Sequence, residues 1–316
     1  MALNLPVFFT RLGSSVVFVA VMFTGLLWNG WSFFVLACLI QALCLRDYFR
    51  LMPQIDKDIY LPKWLPVVMQ AGSILWLAGL FALNYYTQNQ ANDYTITHIS
   101  NESMAFNVKD PHAFYAHSFK SALYTYAVFF IFTLLLITVL SKKTALPAFM
   151  QSVMGIVYIV VPVSLLMLLN EGMHYIPIIM IVMIWTNDTM AYLAGSFFGK
   201  TPFSPISPKK TWEGIIGGAL LTVLGGVIFG YYSTNLLHLG VGSTPQNMLA
   251  FGIMGAIVAI AATLGDLLES KLKRMAGVKD SGTLMPGHGG ALDRFDSLLI
   301  VTPFIYCAYC LVKLFY

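Results

Sequence analysis

The chain has 316 residues, of which 58% are hydrophobic and only 10% charged, with a formal net charge of +4. Charges this scarce, among apolar runs approaching the ~20 residues that cross a ~30 Å hydrocarbon layer, exclude an ordinary water-soluble domain. A membrane β-barrel is excluded as well, because the runs are apolar on every face instead of alternating over ~10-residue strands.

The expected fold is all-α: a polytopic integral membrane protein of about nine transmembrane helices. In chain order the segments lie near 12–28, 31–46, 64–84, 121–140, 150–169, 175–198, 212–233, 249–268 and 291–312. The first two, split by Trp28-Asn29-Gly30-Trp31, predict a tight helical hairpin with aromatic rings at the outer interface. The segment after Arg11 reads as a crossing and not a cleaved leader, since no small-x-small site follows Leu27. An outer loop, 85–120, carries Asn101-Glu102-Ser103 and His98, His112 and His117, without convincing ligand spacing, and reads as a solvated connection. Cys38, Cys44, Cys307 and Cys310 read as small apolar residues of packed helices. Residues 1–170 form a scaffold region with little chemistry, and residues 171–316 a region facing the cytoplasm with a polar site.

Basic residues near short loops stay in the cytoplasm, which fixes the expected orientation. With the amino terminus inside and nine crossings, only Lys109, Lys120 and Lys313 of the 18 Lys and Arg residues fall outside. The carboxyl terminus is then outside. The positive charge reflects topology and anionic lipid, and no basic stripe interleaved with stacking aromatics points to nucleic acid.

Seven of the fourteen acidic residues lie in or beside the last four spans: Asp188, Glu213, Asp266, Glu269, Asp280, Asp293 and Asp296. Ionisable groups inside a membrane normally line a site, so Asp188 and Asp266 are functional candidates. Helical spacing places Asp266, Glu269, Ser270 and Lys273 within one sector of the eighth span, and Asp293 and Asp296 on one face of the ninth. Two such carboxylate pairs suit a hard divalent cation, with magnesium the natural choice. Helix-terminal salt bridges with Lys273, Arg274 and Arg294 are the alternative. Between them, glycines at 282, 287, 289 and 290 let backbone amides approach a ligand, and amides opening the ninth helix favour an anion. His288 can donate to a phosphate oxygen. Thr211 is a plausible N-cap for the seventh helix, with Lys209 and Lys210 adding positive potential for a polyphosphate. Two lysines there are also what the inside-positive bias predicts by itself. In the sixth span Gly195 and Gly199 form a small-xxx-small packing face, beside the polar Asn187, Asp188 and Thr189.

Ser270, Leu272, Lys273, Arg274, Lys279, Asp280, Gly282, Pro286 to Gly290, Asp293, Arg294 and Asp296 together resemble the signature of the phosphatidate cytidylyltransferases, the CDP-diacylglycerol synthases. Asp188 to Tyr192 with Gly195, Gly199 and Lys200, and Ser207 to Gly214, resemble further motifs of that family in the expected order. The specific similarity covers about residues 185–300; earlier, only hydropathy and the basic turn Leu45 to Arg50 match. Met285 stands where Ile, Leu or Phe is commoner and Ala291 where a larger aliphatic is, and both leave the polar groups intact.

The resemblance implies transfer of a cytidylyl group from CTP to phosphatidic acid, with a divalent metal and room for a second cation. It implies that Asp266, Asp293 and Asp296 hold metal, with Glu269 as an added ligand or its support. Lys273, Arg274 and Arg294 then neutralise the reacting phosphates, Lys209 and Lys210 meet the triphosphate, and the His288 loop wraps the pyrophosphate end. Asp188, Thr211, Glu213, Ser270, Lys279, Gly287, Gly289 and Gly290 complete the implied nucleotide side. The family also suggests a homodimer, in a bacterial inner membrane with the site facing the cytoplasm. A CTP-dependent enzyme acting on an isoprenoid phosphate or alcohol is the nearest alternative. An ion- or proton-coupled transporter is the alternative of another class, disfavoured because the carboxylates gather at one membrane face.

Overall fold

Backbone groups in hydrocarbon must bond within their own segment, and the chain meets that demand with helices. A computed structural model describes residues 5–55, 62–99, 145–235, 243–284 and 289–315. The helices are α1 (Leu5–Leu27), α2 (Gly30–Ile55), α3 (Leu65–Ile99), α4 (Ala145–Gly155), a π-helical turn (Ile156–Val160), α5 (Val161–Gly172), α6 (Tyr175–Phe198), α7 (Trp212–Asn235), α8 (Thr244–Met275) and α9 (Leu292–Phe315). Contacts divide the chain into two units: Met1–Lys57 with Ile156–Tyr316, and Asp58–Gly155. The second unit contains α3 and α4; the first contains the remaining helices.

Among the described residues seven helical stretches are long and apolar enough to cross a membrane, and Gly13–Leu27 is a shorter apolar helix. The chain is therefore an all-α, multi-pass membrane protein, as its hydropathy predicts. The expected segment at 121–140 lies outside the described residues. Large apolar residues such as Leu220, Ile260 and Phe197 stand exposed on the helices, where hydrocarbon is their solvent.

Several helices outrun the spans predicted for them. Apolar composition ends α2 near residue 46, yet the helix continues through Arg46, Asp47 and Arg50 to Ile55. In the same way α8 carries its charged turn to Met275. Hydropathy marks where hydrocarbon ends; the hydrogen-bond ladder continues past it. The α1–α2 hairpin is held by Asn29 and Ser32, whose amides and side chains bond reciprocally at 2.8 and 3.0 Å. The π-helical turn ends two residues before Pro162, whose missing N–H and ring favour a break in the regular ladder.

One element departs from the all-helical expectation. Pro202–Ser204 (β1) pairs antiparallel with Ser207–Thr211 (β2), between α6 and α7. Proline, serine and lysine make this stretch read as loop, but Trp212 packs edge-on against Phe203 with ring centroids 4.6 Å apart and its amide bonds Thr201 at 3.0 Å.

Small residues set the helix spacing around it. A Cβ at Gly214 would lie 2.7 Å from the Ala191 carbonyl oxygen, and one at Gly218 would lie 2.9 Å from that of Asn187, so α6 and α7 meet backbone to backbone. The predicted face at Gly195 belongs to this contact, facing Gly214. On the other side of α7, a Cβ at Gly230 would lie 2.5 Å from the Asn247 oxygen of α8.

Candidate active site

Glu269 and Lys273 stand one turn apart on α8 and so share a face. The Lys273 ammonium pairs with Glu269 and, at 2.6 Å, with Asp293 in the first turn of α9. Asp293 goes further. Its Oδ2 accepts the Ser281 amide at 2.8 Å, the Ser281 hydroxyl at 2.8 Å and the Gly290 amide at 2.7 Å. One carboxylate thus ties α8 to both ends of the glycine-rich loop. Gly289, at φ +83°, lies so close that a Cβ would come within 2.6 Å of the same oxygen.

The start of α9 holds a residue that sequence reasoning missed. Asp47 of α2 is buried, and its Oδ2 accepts the amides of Ala291 at 2.6 Å and Leu292 at 3.3 Å, across 244 and 245 positions of sequence. Gly282 and Gly290 close around it: a Cβ at Gly282 would meet Asp47 Oδ1 at 2.7 Å, and one at Gly290 would meet Ser281 Oγ at 2.5 Å. A carboxylate here is favoured by the unpaired amides and the helix dipole. The expectation that the amides opening α9 await a ligand anion is corrected accordingly. Those of Gly290, Ala291 and Leu292 are satisfied by Asp293 and Asp47. The one signal for Asp47 was its charge in the turn Leu45 to Arg50, next to an apolar run.

A second cluster joins the hairpin to α8. Lys210 of β2 pairs with Asp266, while Lys209, on the opposite face of the strand, is exposed. Thr211 caps α7 as expected, its hydroxyl accepting the Gly214 amide at 3.2 Å. Glu213 is turned toward the preceding turn: its carboxylate accepts the amides of Lys200 and Thr201 at 3.2 Å and the Thr201 hydroxyl at 2.9 Å. Its observed role is to close the hairpin onto α7.

Asp293 also borders a cavity of about 120 Å³, lined on one side by Asp188, Asp293, Arg294, Asp296 and Ser297. Asp296 is buried and accepts the Ser297 amide at 2.7 Å, with Asp266 and Asp188 as electrostatic neighbours. Hence Asp188, Asp293 and Asp296 share a cavity, Glu269 and Asp293 share a lysine, and Asp266 meets Lys210. Among the described residues no three His, Cys, Asp or Glu side chains converge as a ready metal cage. Between Glu269 and Asp293 stands the Lys273 ammonium, as in the salt-bridge alternative. Ser270 is half-buried, Arg274 and Lys279 are exposed, and Gly287 and His288 lie outside the described residues.

Residues 9–312 match the family described as the cytidylyltransferase family. Among individual relatives, the chain is similar to the phosphatidate cytidylyltransferase of Haemophilus influenzae, 43% identical over 132 residues, or 42% of this chain and 44% of that protein. The enzyme of that name from Thermotoga maritima is 45% identical over 130 residues, 41% of this chain and 47% of that protein. The one from Rickettsia prowazekii is 34% identical over 168 residues, 51% of this chain and 71% of that protein. The matched stretch thus spans less than half the length of the first two relatives.

Proposed function

The chain belongs to the cytidylyltransferase family, and from that membership we propose that it transfers the cytidylyl group of CTP to the phosphate of phosphatidic acid. An oxygen of the lipid phosphate attacks the α-phosphorus of CTP; the bond to the β-phosphate oxygen breaks, giving CDP-diacylglycerol and pyrophosphate. A phosphate monoester is already largely ionised near neutral pH, so no strong general base is required. What opposes the reaction is repulsion between two polyanions and charge building on the leaving group.

The observation that carries this reading is the gathering of Lys210, Lys273 and Arg294 with Asp188, Asp266, Asp293 and Asp296 at one end of one helix bundle. Lys273 is held by Glu269 and Asp293, which use two of the three N–H donors of an ammonium and leave one for a phosphate oxygen. Arg294, exposed on the first turn of α9 at the cavity, meets the reacting phosphates. Lys210 and the exposed Lys209 on the hairpin meet the triphosphate. Asp293 and Asp47 anchor the two ends of the loop beside the reacting centre, at Ser281 and Gly290 and at Ala291 and Leu292.

The carboxylates fit a magnesium ion, which commonly takes one or two protein carboxylates and completes its shell with water and substrate phosphates. Asp296, with Asp188 beside it, would hold it, joined by Asp266 once Lys210 turns to the triphosphate; Glu269 and Asp293 are committed to Lys273. When bound, such an ion polarises phosphoryl oxygens and offsets the charge of the departing pyrophosphate.

Nine crossings, with the amino terminus and the site on the cytoplasmic side of a bacterial inner membrane, complete the proposal. The distribution of basic residues and the bacterial relatives support it. The test is purified full-length protein with CTP, phosphatidic acid and magnesium, with and without chelator, scored by the mass of the lipid product. CDP-lipid is expected, lost on chelation and reduced roughly hundredfold in a folded Asp293→Asn variant. A lipid that gains only a phosphoryl group, or undiminished turnover by that variant, overturns the reading.

A further inference from the structure

The cavity beside Arg294 has two chemistries. Opposite its carboxylates stand Phe18 and Met22 of α1 and Ile181, Ile184 and Trp185 of α6. We infer that this apolar wall seats the glycerol-proximal part of the acyl chains, which makes α1 the element that selects the lipid substrate. The inference rests on the function proposed above and assigns one side of that site.

Of the two substrates, CTP has only the face of its cytosine ring for apolar contact, while its ribose and triphosphate need polar partners; the aliphatic Met22, Ile181 and Ile184 of the wall suit methylenes instead. A lipid phosphate needs a charged pole and an apolar flank within a few ångströms, and Arg294 and Phe295 supply them from adjacent positions of one helix. Phe18 connects the wall to that pole: its ring lies 5.7 Å from Phe295 and 6.4 Å from Trp185 by centroid, while Phe23 reaches Trp185 at 6.1 Å. Beyond the wall is the bilayer. Val16, Val17 and Val21 are exposed on α1, so one helix separates the cavity from hydrocarbon. The cavity is small, enough for a phosphate group or the first few methylenes of a chain but not for two acyl chains. The remaining methylenes stay in the membrane.

The test uses full-length protein in detergent micelles, with phosphatidic acids carrying six-carbon or eighteen-carbon chains, and measures equilibrium lipid binding as well as initial rates. Phe18→Ala and Met22→Ala are each expected to raise the KM and the Kd for the long-chain lipid about tenfold, as loss of apolar contact in a pocket does. The KM for CTP should stay within twofold, and Val17→Ala, on the lipid-facing side of the same helix, should leave all constants unchanged. Phe18→Leu, which keeps an apolar side chain, should recover most of the loss if Phe18→Ala folds poorly. The inference is overturned if long-chain binding is unaffected, or if the constants for CTP and lipid rise together. Absence of CDP-lipid from the unmodified protein would instead sink the proposed reaction, and the binding measurements would still decide the wall.

Discussion

Lys273 has a buried carboxylate on each side of it, and Glu269 is only 1% exposed. Removing the lysine strands two negative charges next to each other, and breaking such a buried pair costs about 3 to 5 kcal/mol. Lys273→Ala should therefore inactivate faster on heating in detergent. Adding Glu269→Gln should recover part of that loss without recovering turnover, a non-additivity that a double-mutant cycle reads directly. Equal thermal stability of Lys273→Ala and the parent would mean that the ammonium is no clamp. Asp47 makes a different prediction. Asp47→Ala leaves the Ala291 amide without its acceptor, at about 1 to 3 kcal/mol, and hydrogen exchange at Ala291 and Leu292 should rise. Asp47→Asn keeps an acceptor and should exchange more slowly than the alanine variant. Spacing on α8 and α9 made Glu269, Lys273 and Asp293 legible as one group. Asp47 was not legible, because its partners are fixed by how α2 packs against α9 and no pattern local to residues 45–50 encodes that.

At the scale of elements, the hairpin and the glycine-lined helix contacts decide whether these residues meet. Lys210 reaches Asp266 only because β2 ends where α7 begins, and α7 lies close to both α6 and α8. Gly218→Val tests this spacing: its Cβ would press on the Asn187 oxygen and the Ala191 Cβ, forcing the backbones apart. Overpacking of this kind costs typically ~1 to 3 kcal/mol. Activity should fall more than stability, with a raised KM for CTP as Lys209 and Lys210 shift, and a normal KM would show that the hairpin moves independently of α7. The small-xxx-small spacing around Gly195 was readable from sequence. The strands were not: two short, proline- and serine-rich segments have no alternating pattern, and a single hairpin is stabilised by what it packs on.

The path of the whole chain follows from which helix ends meet. Asp47 near the end of α2, the end of α8, the start of α9 and the hairpin between α6 and α7 all lie at the site. Since α6 arrives there, it starts at the far end, and the short link after α5 means that α5 runs from the site end to the far end. The nine crossings proposed above put an even number of them between α2 and α5. That proposal counts the candidate span Leu65–Leu83 of α3 and the apolar run at 121–140, which lies outside the described residues. Hydropathy made that run legible, whereas the meeting of α2 with the start of α9 is visible only in the hydrogen bonds of Asp47. Single cysteines in a background without the four native ones test the path with an impermeant maleimide on sealed, right-side-out vesicles. Trp28→Cys, at the α1–α2 turn, and Lys109→Cys should label from outside, and Lys142→Cys and Lys209→Cys only after permeabilisation. If Lys142→Cys labels together with Trp28→Cys, the segment at 121–140 does not cross and the proposed nine-crossing path is wrong.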